Sequence, residues 1–194
     1  MGELNMRKED WKWKIGESVT RIRDRYEFIG RKSGVPFLAI VYPLSAEKAV
    51  FREWYTQTNA LRPEIDVRTV DVLKITQGVL AEIGVENIVD SLNDPEWGQS
   101  AREDLTRLWI SAIAEAVRTE MQEEGVGKPV MSLEHLSALY PISSPWDVMQ
   151  SLWNDPKSPL DCPIVVFIPG RLTGSRHYSF LEKVDEFMYR GDLL

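Results

Sequence analysis

Residues Ile164-Val165-Val166-Phe167-Ile168 stand between Pro163 and Pro169-Gly170 without one polar side chain among them. Four are β-branched and one is aromatic. A run this short and this uniformly apolar fits a strand buried on both faces, as in a parallel sheet covered by helices. The Pro-Gly pair predicts a tight turn at the carboxyl edge of that sheet, the side on which open α/β sheets place their sites. Pro169, Gly170 and Arg171 are therefore the first candidate site residues. The turn carries no phosphate-loop lysine, no nucleophile elbow and no metal cluster, so it points to a fold more than to a reaction.

The rest of the chain supplies matching pieces. In residues 7–30, Trp11, Ile15, Val19, Ile22, Tyr26 and Ile29 recur every three or four positions, which predicts an amphipathic helix ended by Ser33-Gly34. A second continuous apolar run, Pro36 to Tyr42, is the first strand. Pro43 closes it, and Ser45 is placed to cap a helix that stops before Pro63. Ile65 to Val70 alternates and reads as an edge strand, followed by a helix from Asp71 as cap to Ile83, with Gly84 as its stop. Residues 85–99 look irregular, with Asn93-Asp94-Pro95 as a turn signal. A long helix is predicted over 99–124, and a third strand over 129–133. A short helix follows over 146–153, opened by Ser144-Pro145. A polar, proline-rich loop over 154–163 leads into the buried run, and a final helix is expected over 179–188.

Strands alternating with helices predict parallel crossovers and a three-layer α/β sandwich, built around a mostly parallel sheet of about four to five strands. The strands richest in β-branched residues belong at the centre. Either a flavodoxin-type order or that of phosphate-loop ATPases suits this strand count; central placement favours the second, with strand one beside strand four, as a degenerate P-loop fold. The 194 residues suit one domain, here a helical extension over 1–34 and an α/β core over 35–194.

The charge distribution limits partners. Residues 7–32 hold nine Lys/Arg and five Asp/Glu, a net of +4, whereas residues 33–194 carry a net of −10. An acidic body is repelled by nucleic acid at long range, so direct DNA binding is not expected of it. One cysteine, Cys162, allows no internal disulfide and suits a reducing cytoplasm. The charged first thirty residues do not resemble a signal peptide, and no apolar run approaches the ~20 residues that span a bilayer.

Specific chemistry finds little footing. The loop after strand one, Tyr42-Pro43-Leu44-Ser45-Ala46-Glu47-Lys48, has no glycine to wrap a phosphate, and Pro43 lacks an N–H. Glu134-His135 follows strand three, where a carboxylate and an imidazole can bind metal or act as a base. The only other histidine is His177, and a strand-end pair hydrogen-bonded to loop backbone is the simpler reading. Cys162 reads as a small buried hydrophobe. Ser143, Ser144 and Ser175 lack a Gly-x-Ser-x-Gly frame. No cofactor, metal or catalytic residue is assigned. Tyr42, Asp71 and Glu134 join Pro169, Gly170 and Arg171 as a candidate strand-edge site.

Seven tryptophans, at 11, 13, 54, 97, 109, 146 and 153, exceed what a core of this size needs. Trp is enriched at interface anchors. Trp11 and Trp13 lie two apart on a helix and cannot both face the core. Trp13, with Arg21, Arg23 and Arg25, is therefore a candidate partner surface, and an interaction protein is the better physical reading.

Three segments carry a family likeness: Phe37-Leu38-Ala39-Ile40-Val41-Tyr42-Pro43, then Leu139-Tyr140-Pro141, and then Val166-Phe167-Ile168-Pro169-Gly170 with Tyr178-Ser179-Phe180-Leu181 and Tyr189-Arg190. Together they resemble the BrxB family of BREX bacteriophage-exclusion systems, across most of residues 35–190. The resemblance implies a cytoplasmic bacterial protein, without a catalytic motif, that works with other BREX components. These include a site-specific DNA methyltransferase, a large ATPase and a PglZ-type member of the alkaline-phosphatase superfamily. The expectation is a non-enzymatic assembly subunit of a phage-defence complex, most simply contacting the PglZ-type protein. The alternative is an enzyme or sensor holding a nucleotide or nucleic acid at the sheet's carboxyl edge.

Overall fold

A computed structural model describes residues 10–30, 34–155 and 159–194. The expected helical residues 7–9, and residues 156–158 of the proline-rich loop, lie outside them.

Helix α1 spans Asp10–Arg25 and buries Trp11, Ile15, Val19 and Ile22 along one stripe. Asp10 in its first turn and Arg23 and Arg25 in its last complement the helix dipole. The helix is shorter than its apolar periodicity suggested. Tyr26–Phe28 tighten into a 3-10 turn, and Tyr26 instead donates its hydroxyl to the carbonyl of Pro129.

Strand β1, Phe37–Tyr42, is buried at all six positions, which is why its sequence does not alternate. Helix α2 (Glu47–Asn59) follows a 3-10 turn at Leu44–Ala46. Its N-cap is Ala46, without a side-chain bond, so Ser45 does not cap it. Strand β2 (Ile65–Asp71) leads directly into α3 (Val72–Ile83), and the Asp71 carboxylate accepts from the Lys74 N–H at 3.3 Å as the expected cap. Gly84, with φ 90°, separates α3 from α4 (Val85–Asn93). The stretch expected to be irregular is therefore largely helical: Val85, Ile88, Val89 and Leu92 follow a helical period. Asp94 then turns the chain by accepting from the N–H groups of Glu96 and Trp97. Helix α5 (Gly98–Gln122), strand β3 (Lys128–Glu134) and helix α6 (Pro145–Asn154) complete the crossovers. Ser144 and Asp147 form a capping box at the start of α6.

The main sheet has the order β2-β3-β4-β1-β7 and is parallel throughout, where β4 is Ile164–Leu172 and β7 is Asp192–Leu193. Strand β1 lies beside β4, with Phe37 opposite Ile164, as β-branched content predicted. Strand β2 is an edge, as its alternation implied. Helices α1 and α2 cover one face, packing Trp11, Ile15, Phe51 and Trp54 on Leu38, Ile40 and Phe167. Helices α5 and α6 cover the other over Ala39, Val41, Met131 and Val166, with α3 beside α5 and α4 against α5. This is a three-layer α/β sandwich.

Two further expectations fail. The chain does not turn at Pro169-Gly170: β4 continues to Leu172, with Pro169 opposite Tyr42 and Gly170 opposite Phe180 of a second strand. Gly170 (φ 156°) is demanded by close approach, because a Cβ there would sit 2.0 Å from the carbonyl oxygen of Ser179. The expected C-terminal helix over 179–188 is a hairpin of β5 (His177–Phe180) and β6 (Val184–Phe187), antiparallel to the end of β4. Leu181 and Glu182, at φ 53° and 57°, form a turn with the twist that hairpins favour. Tyr178 and Phe180, two apart, both enter the core. That strand period outweighs the helical one read from the same residues.

Candidate functional site

Parallel pairing brings the ends of β2 and β3 together, so Asp71 stands opposite Glu134. Glu134 is fully buried. Its carboxylate accepts hydrogen bonds from Ser132 Oγ (2.7 Å), Thr69 Oγ1 (3.3 Å) and the Tyr55 hydroxyl of α2. Burial pushes its pKa up, and these donors offset part of that. His135 has left-handed backbone (φ 58°), which turns its ring toward β2. There Nδ1 lies 3.0 Å from Asp71 Oδ1, and the ring meets the edge of Phe51. The expected strand-end pair is thus hydrogen-bonded, to side chains rather than to loop backbone.

These groups border a cavity of about 510 Å³ that is also lined by Tyr55, Lys74 and Glu120. Asp71, Glu120 and Glu134 set three carboxyl groups against one lysine, whose ammonium lies 3.8 Å from Asp71. An anionic phosphate meets repulsion there, and the lining contains no glycine-rich turn to present N–H groups. A histidine beside a carboxylate can relay a proton. Among the described residues, no group of three or more His, Cys, Asp or Glu is arranged to hold a metal.

The other strand-edge candidates do not join this cavity. Tyr42 is buried in the aromatic core against Phe51 and Phe167, and its hydroxyl donates to Glu47 Oε2 at 2.7 Å. Pro169 and Gly170 are interior strand residues, and Arg171 is exposed, 3.9 Å from Glu182. Cys162 is buried, and desolvation pushes its thiol up to about 12.

A larger cavity, about 780 Å³, opens on the α6 side. One wall is the face of α6 bearing Trp146, Met149, Gln150 and Trp153. The other is the continuous segment from Val184 to Arg190, and Val35 and Phe37 line the groove too. Trp146, Phe187 and Tyr189 are exposed, and the Arg190 guanidinium lies 4.0 Å from the Trp153 ring centre. The tryptophan surplus was the only sequence signal for this groove. The β6 half was hidden because that stretch read as a helix.

The N-terminal candidates divide. Trp13 is 61% exposed while Trp11 is buried, as two helix positions two apart require. Arg23 and Arg25 are exposed, and Arg23 pairs with Asp24. Arg21 turns back onto its own chain, bonding Glu17 at 2.8 Å and Asp192 of β7 at 3.3 Å. Among the described residues no helix is long and apolar enough to cross a membrane. No family model, curated protein or solved structure matches this chain.

Proposed function

We propose that this chain is a non-catalytic assembly subunit that binds a partner protein in the groove between α6 and β6. We propose further that the assembly is a BREX-type bacteriophage-defence complex in which the partner is the PglZ-type protein. The observation that carries the binding role is the groove itself, where Trp146, Phe187 and Tyr189 stay exposed beside a long open cleft. Exposed aromatics in one patch are the composition of interface centres, where a few such anchors supply most of the binding energy. The defence role rests on the likeness of the Leu139-Tyr140-Pro141 and Phe167-Ile168-Pro169-Gly170 segments to the BrxB family. A nucleotide at the sheet's carboxyl edge has weaker support, because the cavity there is lined by three carboxyl groups.

The test is co-purification of the tagged chain with the products of neighbouring genes, comparing wild type with a Trp146→Ala/Tyr189→Ala variant. The expected result is capture of the PglZ-type protein by wild type and loss of that capture in the folded variant. Equal capture by both places the interface elsewhere. Steady phosphate release from ATP that is abolished by Lys48→Ala overturns the non-catalytic reading.

A further inference from the structure

The groove is bordered by the edge of a strand rather than by a strand's face. Side chains of a strand alternate between two faces, so a face supplies every second residue. Here every residue from Val184 to Arg190 lines the groove. Strand β6 pairs with β5 on one side only. The Met188 N–H donates to the carbonyl of Arg176 at 2.8 Å, which fixes the alternation of the antiparallel ladder. Glu186 and Val184 then exchange bonds with β5, whereas the N–H and C=O groups of Asp185 and Phe187 point away from it. Among the described residues, no backbone group pairs with those outward groups.

We propose that the groove takes an extended, basic segment of a partner protein, which adds as a strand to the free edge of β6 and sets alternate apolar side chains against Trp146 and Trp153. This rests on the binding role proposed above and specifies its mode. An unpaired edge is a template for another strand, whose backbone supplies affinity and whose alternate side chains supply specificity. Charge selects the occupant. Asp147, Asp185 and Glu186 line the groove against Arg190, which is stacked on Trp153. Asp147 is held by the Ser143 and Ser144 hydroxyls and Glu186 is partly buried, so the exposed Asp185 is the acid that an incoming side chain meets first. A second copy of β6 pairing antiparallel about Asp185 or about Glu186 would set that acid against its own counterpart, which opposed strands disfavour. Lysine or arginine on the incoming strand meets the opposite sign. A helix in the groove would leave the outward groups of Asp185 and Phe187 without partners.

The experiment is a display selection of random twelve-residue peptides against the full chain, followed by synthesis of the enriched sequences. The expected peptides alternate apolar and polar residues, carry net positive charge and lack proline at the core. N-methylation of alternate backbone nitrogens on the pairing edge of such a peptide should weaken binding at least tenfold. Methylation of the intervening nitrogens should change it less than threefold. Trp153→Ala should also reduce binding, in a protein whose circular dichroism matches wild type. Absence of any enriched peptide, enrichment at helical spacing, or indifference to N-methylation overturns strand addition. So does self-association of the chain that is abolished by Asp185→Lys. Co-purification that depends on Trp146 and Tyr189 while peptides bind as helices leaves the assembly role standing and removes only the strand mode.

Discussion

Glu134 offers the sharpest test of how the α2, β2 and β3 ends are held. Replacing it by alanine removes the shared acceptor of Ser132, Thr69 and Tyr55. Each bond contributes about 1 kcal/mol net, but only the Ser132 hydroxyl is stranded in the interior, because Tyr55 and Thr69 are exposed and turn to water. The loss is about 2 kcal/mol, or roughly 4–8 °C in Tm at 2–4 °C per kcal/mol for a chain this size. Glutamine keeps the shape and an acceptor, so its effect depends on pH. The folded carboxyl has a raised pKa because it is buried, while the unfolded one titrates near ~4.3. Below that value both states are protonated and the linkage term is flat. As pH rises toward and through the folded value, the unfolded state ionises first, and stability falls by up to about 1.4 kcal/mol per pH unit. Glu134→Gln cannot ionise and lacks this loss. The stability difference between wild type and Glu134→Gln, measured by urea unfolding from pH 4 to pH 8, should therefore move in favour of the variant as pH increases. A flat difference across that range, or an alanine variant that loses less than about 1 kcal/mol, would refute the reasoning.

Three further outcomes follow from the geometry. Gly170→Ala places a Cβ against the Ser179 carbonyl, so it should cost about 2 kcal/mol or more in chemical denaturation, as over-packing of a rigid backbone contact does. Cys162 is buried with a thiol pKa near 12, so Ellman's reagent at pH 8 should label the native chain far more slowly than the urea-unfolded one; equal rates contradict this. Trp13→Ala and Arg23→Glu change exposed positions on α1, so each should shift stability by less than about 0.5 kcal/mol. If that face binds a partner, Trp13→Ala weakens capture at equilibrium, while Arg23→Glu slows association and lessens its salt dependence.

The parts of the fold legible in the sequence were those where one physical signal dominated. The continuous apolar runs at Phe37–Tyr42 and Ile164–Ile168 could only be buried strands, and their β-branched content put them side by side. Asp71, Gly84 and Ser144-Pro145 punctuated helices because capping chemistry is local. The misreadings fall where two signals compete or where distance decides. Residues 179–188 carry both periods, and the turn at Leu181-Glu182 uses left-handed backbone without glycine or asparagine to announce it. Pro169-Gly170 carries a turn signal, but the glycine answers to Ser179, which pairing alone brings near. Of the strand-edge candidates, Asp71 and Glu134 meet because register sets them opposite each other. Tyr55 and Thr69, which share Glu134, were not foreseeable, since a tyrosine on an amphipathic helix gives no sign of which buried acid it will meet. Lys14 is the clearest surprise: it lies on the apolar side of α1, 6% exposed, because its ammonium bonds the Val41 carbonyl at 3.0 Å and Asp10 at 3.1 Å.

The place of β1 in the sheet has a consequence for synthesis. Its two neighbours are β4 and β7, both drawn from the last thirty-one residues of the sequence. While the ribosome is still making α5 and β3, β1 has emerged with six apolar residues and neither edge paired. Only β2 and β3 can join before β4 exists. The central layer therefore closes late, after contacts of long sequence separation become possible, and such topologies fold slowly and expose sticky edges meanwhile. A nascent chain arrested before Ile164 should be a client of holding chaperones, because the stretch from Ile164 onward is the one that turns a set of helices and strand edges into a sheet.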